Sequence, residues 1–274
     1  MPVPDWLRRL RQQEIINVVR NRPDTQGDHF FGLDKNEIFS EVLGGGQADF
    51  DQPYRHLSAS DRVILYCYFL QLGHLEELLE AFRQLFTTGP PADPLIVLDL
   101  GCGPFTGGLA LAAALGTHVP FSYIGLDPSL AMRELGQRLA SAAEQTAALK
   151  CTDRQWVEDF SSIGWRLAPG WRPVLVIASY LLASPTLNAE LLVRNIEALS
   201  DRFGRGPVTV LYTNSPRADA NYRFDVFRAA LENAGFSIFA DDLGSINVDR
   251  FGGLKERSLR YALFHRKERR TLDV

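Results

Sequence analysis

Val97-Leu98-Asp99-Leu100-Gly101-Cys102-Gly103-Pro104-Phe105-Thr106-Gly107-Gly108 is the stretch that decides the fold. Ile96 to Asp99 is a short apolar run ending in one acid, and it reads as a buried strand. A glycine-rich turn follows, and Leu109 to Leu115 reads as a helix. Strand, glycine turn and helix make up the nucleotide-cradling unit of open α/β sheets. Gly101 and Gly103 lack a Cβ, so they can take φ > 0 and let a ligand lie against the main chain. The first N–H groups of the helix have no intrahelical partner and are free to bond something. Asp99 sits two residues before Gly101, at the carboxyl end of the strand. A carboxylate there would repel a pyrophosphate but can accept hydrogen bonds from an ammonium.

Downstream, strands and helices alternate, which implies a mostly parallel sheet covered on both faces. Phe121 to Leu126 is a second strand, ending at Asp127-Pro128-Ser129. Ser129 can cap a helix whose core face is Ala131, Leu135, Leu139 and Ala142 or Ala143. Trp156 to Phe160 closes a shorter segment, and Val174 to Ser179 is another strand. Ser184-Pro185 offers a cap and an N1 proline for a helix striped by Leu187, Leu191, Ile196 and Leu199. Val208 to Thr213, Phe236 to Ala240 and Ser258 to His265 complete the strands, with a helix over Asp225 to Ala234 stopped by Gly235. Ligands of such sheets bind at the carboxyl ends of the strands, near the topological switch point. Asp127, 24 residues beyond Gly103, is at a sensible distance for an acid holding a ribose, although Asp-Pro-Ser is equally a good helix start.

Upstream, residues 1–90 read as a helical cap or lid and 91–274 as the α/β domain. Residues 4 to 22 carry an apolar stripe of Leu7, Leu10, Ile15, Val18 and Val19. Gly27 to Gly32 and Gly44-Gly45-Gly46 bracket a short helical candidate, Lys35 to Leu43, which suits a mobile flap or an ordinary surface connection. Ser58 to Phe86 is strongly helical, with Gly73 as its expected break, and Gly89-Pro90-Pro91 marks the boundary.

Together these features resemble the class I S-adenosylmethionine-dependent methyltransferases over most of residues 95 to 265. The resemblance implies a Rossmann-like sheet of seven strands in order 3-2-1-4-5-7-6 with the last strand antiparallel. It implies S-adenosyl-L-methionine as cofactor and S-adenosyl-L-homocysteine as product. Carried onto matching positions, it makes Asp99, Gly101, Cys102 and Gly103 the first motif, and Asp127 with Pro128 the ribose acid and its neighbour. Met132 would lie on the adenine or pack in the core, and Asp159, with Phe160 beside it, would meet the adenine amino group unless Glu158 does. Ile177 to Leu182 resembles the fourth motif, with Ser179 facing the cofactor and Tyr180 the substrate. Phe105 departs from the family's third glycine. Its ring either narrows the cofactor's approach or turns into the helix packing.

At 274 residues and 46% apolar content, the chain can bury a sizeable core. No apolar run approaches the ~18 residues a membrane span needs, and the charged N-terminus is unlike a signal peptide, so a cytoplasmic protein is expected. The three cysteines are scattered, as are the five histidines, and no metal site is expected. A net charge of −4 argues against a general nucleic-acid binder, although arginines cluster at both ends. His29, Tyr54 and His56 could line a lid over a small, partly aromatic substrate, with either histidine as base, or could simply pack the cap onto the sheet. The sequence therefore favours methyl transfer to a nitrogen or oxygen of a small molecule. An RNA methyltransferase, its basic ends holding phosphates, is the second reading, and a catalytically silent cofactor-binding or interaction protein the third.

Overall fold

Leucine, isoleucine and valine at helical spacing build the first element. The computed structural model describes residues 3–88, 95–164, 171–184, 186–204, 206–250 and 253–267. It begins with α1 (Asp5–Arg11), a π-helical turn (Gln12–Ile16) and α2 (Asn17–Arg20) in one unbroken run. Leu7, Leu10, Ile15 and Val19 are buried, while Val18 is turned outward. The wider π turn shifts the buried face by a residue. A small antiparallel hairpin follows, β1 (His29–Phe30) with β2 (Leu33–Asp34). The short helix expected from Lys35 is α3 (Lys35–Glu37) running into a π turn (Ile38–Val42).

Ser58 starts α4 (Ala59–Tyr66) with a capping box in which it and Asp61 satisfy each other's backbone N–H. The expected break at Gly73 does not occur. A π turn over Cys67–Gln71 joins α4 to α5 (Leu72–Leu85), and Gly73 is buried inside α5. Glycine costs a helix interior only about 1 kcal/mol, which the burial of Leu75, Leu78, Leu79 and Phe82 outweighs. The Gly89-Pro90-Pro91 boundary lies outside the described residues.

The sheet then unfolds in sequence: β3 (Leu95–Leu100), α6 (Thr106–Leu115), β4 (Phe121–Leu126), α7 (Leu130–Gln145), β5 (Cys151–Val157), β6 (Val174–Ser179), α8 (Ala189–Phe203), β7 (Val208–Asn214), α9 (Phe224–Asn233), β8 (Ser237–Arg250) and β9 (Gly253–Arg266). Strand order across it is β5-β4-β3-β6-β7-β9-β8. The strands from β3 to β7 pair in parallel, and β9 runs antiparallel to both β7 and β8. Counting β3 as the first strand, this is the expected order 3-2-1-4-5-7-6 with its antiparallel last strand. Every residue of β3 is buried, as a central parallel strand requires. One core lies between the sheet and α5, α6 and α7 and includes Leu7, Ile15, Leu57 and Val63 of the N-terminal region. The other lies under α8 and α9.

Three boundaries differ from expectation. Helix α6 starts at Thr106 and so takes Gly107 and Gly108 into its first turn. Helix α8 starts at Ala189, capped by Asn188, whose side chain accepts from Leu191 N at 2.9 Å. Ser184 instead offers its carbonyl to Arg223, Pro185 lies outside the described residues, and Leu191 is 47% exposed while Leu192 and Val193 face the core. β8 and β9 extend far beyond the expected segments as a long hairpin paired from Ser237↔His265 to Arg250↔Gly253. The polar run from Asp241 hides the strand because its register is set by pairing with β9 rather than by an apolar face. Among the described residues, no helix is long and apolar enough to cross a membrane.

Candidate cofactor and acceptor site

The glycine turn is held on the end of β4. Gly101 N and Cys102 N both donate to Leu126 O, at 2.8 and 3.0 Å. Gly101 and Gly103 have φ of 66° and 50°, the left-handed region that glycine enters freely. Asp127, at the carboxyl end of β4, bonds straight back to this turn. One of its oxygens accepts from Gly103 N at 2.9 Å, and the other from Ser129 N at 2.9 Å. Burial pushes the Asp127 carboxyl up, and the N–H bonds from Ser129 and Gly103, with the Arg133 guanidinium nearby, pull against it. A Cβ at Gly103 would meet nothing within 4 Å, so the turn has open space on that side.

Phe105 turns into the packing and not into that space. It is fully buried, edge-on to Tyr123 at 4.7 Å and tilted on Trp156 at 5.8 Å. Its backbone is left-handed (φ 64°), a region that favours glycine. Gly108 makes the ring possible, since a Cβ there would overlap it. Gly107 does the same for Asp99, whose carboxylate would overlap a Cβ at that position. Asp99 is buried and accepts from Tyr123 Oη at 2.8 Å. Burial pushes its carboxyl up to about 7 despite that bond. Cys102 is a small buried packing residue, its Sγ filling the space beside Gly125. Sequence reading missed Thr106, the residue after the turn. Its Oγ1 is buried without a hydrogen-bond partner among the described residues.

The N-terminal cap closes over this turn. Arg62, buried in α4, donates to the carbonyls of Val42, Asp49 and Gln52 and so shapes the segment beyond Gly44–Gly46. That segment delivers Asp51 to the start of α7, where its carboxylate accepts from Ser129 Oγ (2.8 Å), Leu130 N (2.9 Å) and Ala131 N (2.9 Å). These bonds hold the Asp51 carboxyl below its usual range, against a desolvation that acts the other way. Beneath the segment lies Tyr66, with Phe50 edge-on at 5.4 Å.

At the end of β6, Ser179 Oγ accepts from Thr213 Oγ1 at 2.9 Å. Tyr180 follows in the left-handed region (φ 58°), a conformation that costs a side-chain-bearing residue energy and tends to occur at sites. Its hydroxyl donates to Glu77 Oε2 at 2.7 Å and accepts from Arg257 Nη2 at 3.0 Å. Glu77 is buried and pairs with Arg257 Nε at 2.5 Å. The His74 ring stacks on Tyr180, centroids 4.2 Å apart, and its Nδ1 lies 3.2 Å from Tyr66 Oη. His74, Glu77, Tyr66 and Arg257 were not legible as site residues, because α4, α5 and β9 meet β6 only in the folded chain.

Other expected site residues are placed as follows. Met132 is buried with Leu135 and Leu139 in the core, and Pro128 is exposed at the start of α7. Asp159 follows β5, its carboxylate accepting from Ser161 Oγ, Ser162 N and Ser162 Oγ, which hold it below its usual range, with Phe160 next to it. Glu158 is exposed beside them. His29 is an exposed residue of the β1–β2 hairpin. His56 Nε2 lies 2.7 Å from Phe31 O, and Tyr54 Oη donates to Glu37 at 3.2 Å, so both are engaged within the cap. The basic N-terminal cluster is also partly engaged: buried Arg11 donates to Cys67 O, and Arg22 pairs with Asp24 and Asp61. Arg266 pairs with Glu197 and Asp201, and Arg269 and Arg270 lie outside the described residues.

No protein-family model matches the chain, and no curated protein does. Solved structures that it resembles are described as methyltransferases. An S-adenosylmethionine-dependent methyltransferase from Leishmania major aligns at 13% identity and a TM-score of 0.44, over 88% of this chain and 94% of its own. A precorrin-6y C5,15-methyltransferase from Geobacter metallireducens aligns at 14% identity and a TM-score of 0.43, over 69% and 86%. An S-adenosylmethionine-dependent methyltransferase from Aquifex aeolicus aligns at 12% identity and a TM-score of 0.41, over 68% and 90%. The strand order and directions described above, independent of these likenesses, define the sheet. It is the class I methyltransferase fold.

Proposed function

We propose that the protein is an S-adenosyl-L-methionine-dependent methyltransferase acting on a nitrogen or oxygen of a small molecule. The observation that carries this reading is the Asp127 carboxylate docked on Gly103 N, at the carboxyl ends where the chain runs from β3 to either side of the sheet. Such a carboxylate suits ribose hydroxyls and opposes phosphate. The residues present fit the cofactor in three ways. Gly103 leaves open space, Thr106 Oγ1 has an unmet hydrogen bond, and the acids Asp99 and Asp127 suit a cationic ligand. When bound, the cofactor supplies a methyl group on a sulfonium and is released as S-adenosyl-L-homocysteine.

The chain's part is binding and orientation. Gly101, Cys102 and Gly103 offer main chain, Asp127 with Pro128 takes the ribose, and Asp159 and Phe160 border the adenine, while Met132 packs in the core. Ser179 borders the methionine end. Holding acceptor and methyl at near-attack distance supplies about 7 kcal/mol or more, and a base is needed only if the acceptor loses its proton at the transition state. The RNA reading is weakened by the internal engagement of Arg11, Arg22 and Arg266. The silent-binder reading rested on Phe105, and that ring points into the core.

Calorimetric titration of S-adenosyl-L-methionine and S-adenosyl-L-homocysteine into wild type and Asp127→Ala tests the reading. Micromolar binding that Asp127→Ala weakens at least tenfold, about 1.4 kcal/mol, is expected. A wild type that binds neither compound refutes the proposal.

A further inference from the structure

The ring cluster at the end of β6 has a composition that the cofactor alone does not explain. Tyr66, His74 and Tyr180 form a continuous aromatic wall: Tyr66 bonds His74, and His74 stacks on Tyr180. Tyr66, His74 and Tyr180 are each half-buried, whereas Glu77 is buried. Tyr66 packs edge-on against Phe50, whose neighbour Asp51 bonds the start of α7 next to Asp127, which sets Tyr66 under the segment that meets the cofactor side. Tyr180 follows directly on Ser179 and is held in a left-handed backbone by Glu77 and Arg257. A strained residue fixed by partners from α5 and β9 has its ring direction set before any ligand arrives.

The electrostatics narrow what such a wall can take. The Arg257 guanidinium is paired with Glu77, so the wall carries balanced charge. Further groups on the cofactor side include the carboxylates of Asp127 and Asp51, with the Arg133 guanidinium bonded to Asp127 O beside them. A phosphate would meet the Asp127 and Asp51 carboxylates, whereas an uncharged ring can stack on the wall and bond at its edge.

We propose that Tyr66, His74 and Tyr180, braced by the Glu77–Arg257 pair, form the methyl-acceptor subsite, and that it takes a small uncharged aromatic compound carrying a hydroxyl or ring N–H. The proposal rests on the methyltransferase reading. His74 and Tyr180 contact the acceptor, and Glu77 and Arg257 are positioning residues that act through Tyr180.

The test uses the full chain saturated with S-adenosyl-L-homocysteine, with isotope-labelled histidine rings followed by NMR. Phenol, phenyl phosphate and a short single-stranded RNA are the probes. Phenol is expected to shift the His74 ring signals saturably, and phenyl phosphate and RNA to leave them in place. Tyr180→Phe keeps the ring and removes its bonds to Glu77 and Arg257. It is expected to weaken phenol binding about fivefold or more, with S-adenosyl-L-homocysteine affinity unchanged, which also certifies the fold. His74 signals unmoved by phenol in the loaded protein overturn the proposal and leave the methyltransferase reading standing. So does a larger shift with phenyl phosphate or RNA, which points to a phosphate-bearing acceptor. Failure of S-adenosyl-L-homocysteine to bind removes both.

Discussion

Phe105 shows how one departure from a motif can be a packing decision. A phenylalanine in the left-handed region costs about 1–2 kcal/mol relative to glycine. Its ring fills a buried site against Tyr123, in room that Gly108 leaves free. Removing a buried phenylalanine side chain costs about 3–5 kcal/mol, so the packing wins. Phe105→Gly, although it relieves the left-handed backbone, is therefore expected to destabilise the protein by about 2–3 kcal/mol in urea unfolding. Unchanged or raised stability would show that the ring is not a core residue. Asp99 supports a second prediction. Its folded carboxyl stands at about 7 while the ordinary value is 3.8, so the stabilisation it contributes is complete at acid pH and is lost as pH rises through about 7. Asp99→Asn keeps an acceptor for Tyr123 and removes that titration. Relative to the variant, wild type should lose on the order of a few kcal/mol between about pH 4 and about pH 8, read by urea melts across the range. Equal slopes in both proteins would mean that Asp99 is ionised throughout.

At the scale of elements, the cap segment is secured at two points, by Arg62 from α4 and by Asp51 on α7. Asp51 caps α7 from outside that helix's own sequence, alongside Ser129, whose Oγ accepts from Met132 N at 3.2 Å. Asp51→Ala should cost about 1 kcal/mol, the usual worth of an N-cap. Faster hydrogen exchange is expected over residues 43–57 and in the first turn of α7, with that of β3 and β6 unaltered. Exchange unchanged in the segment would mean that Arg62 alone holds it. Ser58, Ser129 and Gly235 were legible in the sequence because caps are local chemistry, set by one side chain and the backbone a few residues away. Asp51 was not, because its bonds run to residues far along the chain. The extension of β8 and β9 beyond the expected strands was missed for the same reason: Asp241 to Arg250 is mostly polar, and its strand exists because β9 pairs with it.

At the scale of the whole molecule, the helical cap and the sheet share one core. Leu7, Ile15, Val63 and Leu79 join Val97, Leu109 and Leu139 in a single buried cluster. The boundary between residues 1–90 and 91–274 thus divides the sequence, and we propose that it does not divide the folding unit. Tryptophan fluorescence and far-ultraviolet circular dichroism should report one coincident urea transition. Two separated transitions would make the cap an independent domain.

The sequence by itself determined the sheet. Apolar runs ending in Asp99, Asp127 and Ser179, separated by helices with readable caps, specify parallel strands whose carboxyl ends face one side, and the glycine turn marks where a ligand lies against the backbone. These signals are local, carried by residue spacing and by the steric freedom of glycine. The tertiary structure alone decided where Phe105 points, which carboxylate reaches Gly103, and that Tyr66, His74, Glu77 and Arg257 converge on Tyr180. Those outcomes depend on contacts between segments far apart in the chain, whose side chains become neighbours only when the cap, the central strands and the last hairpin pack on the same core.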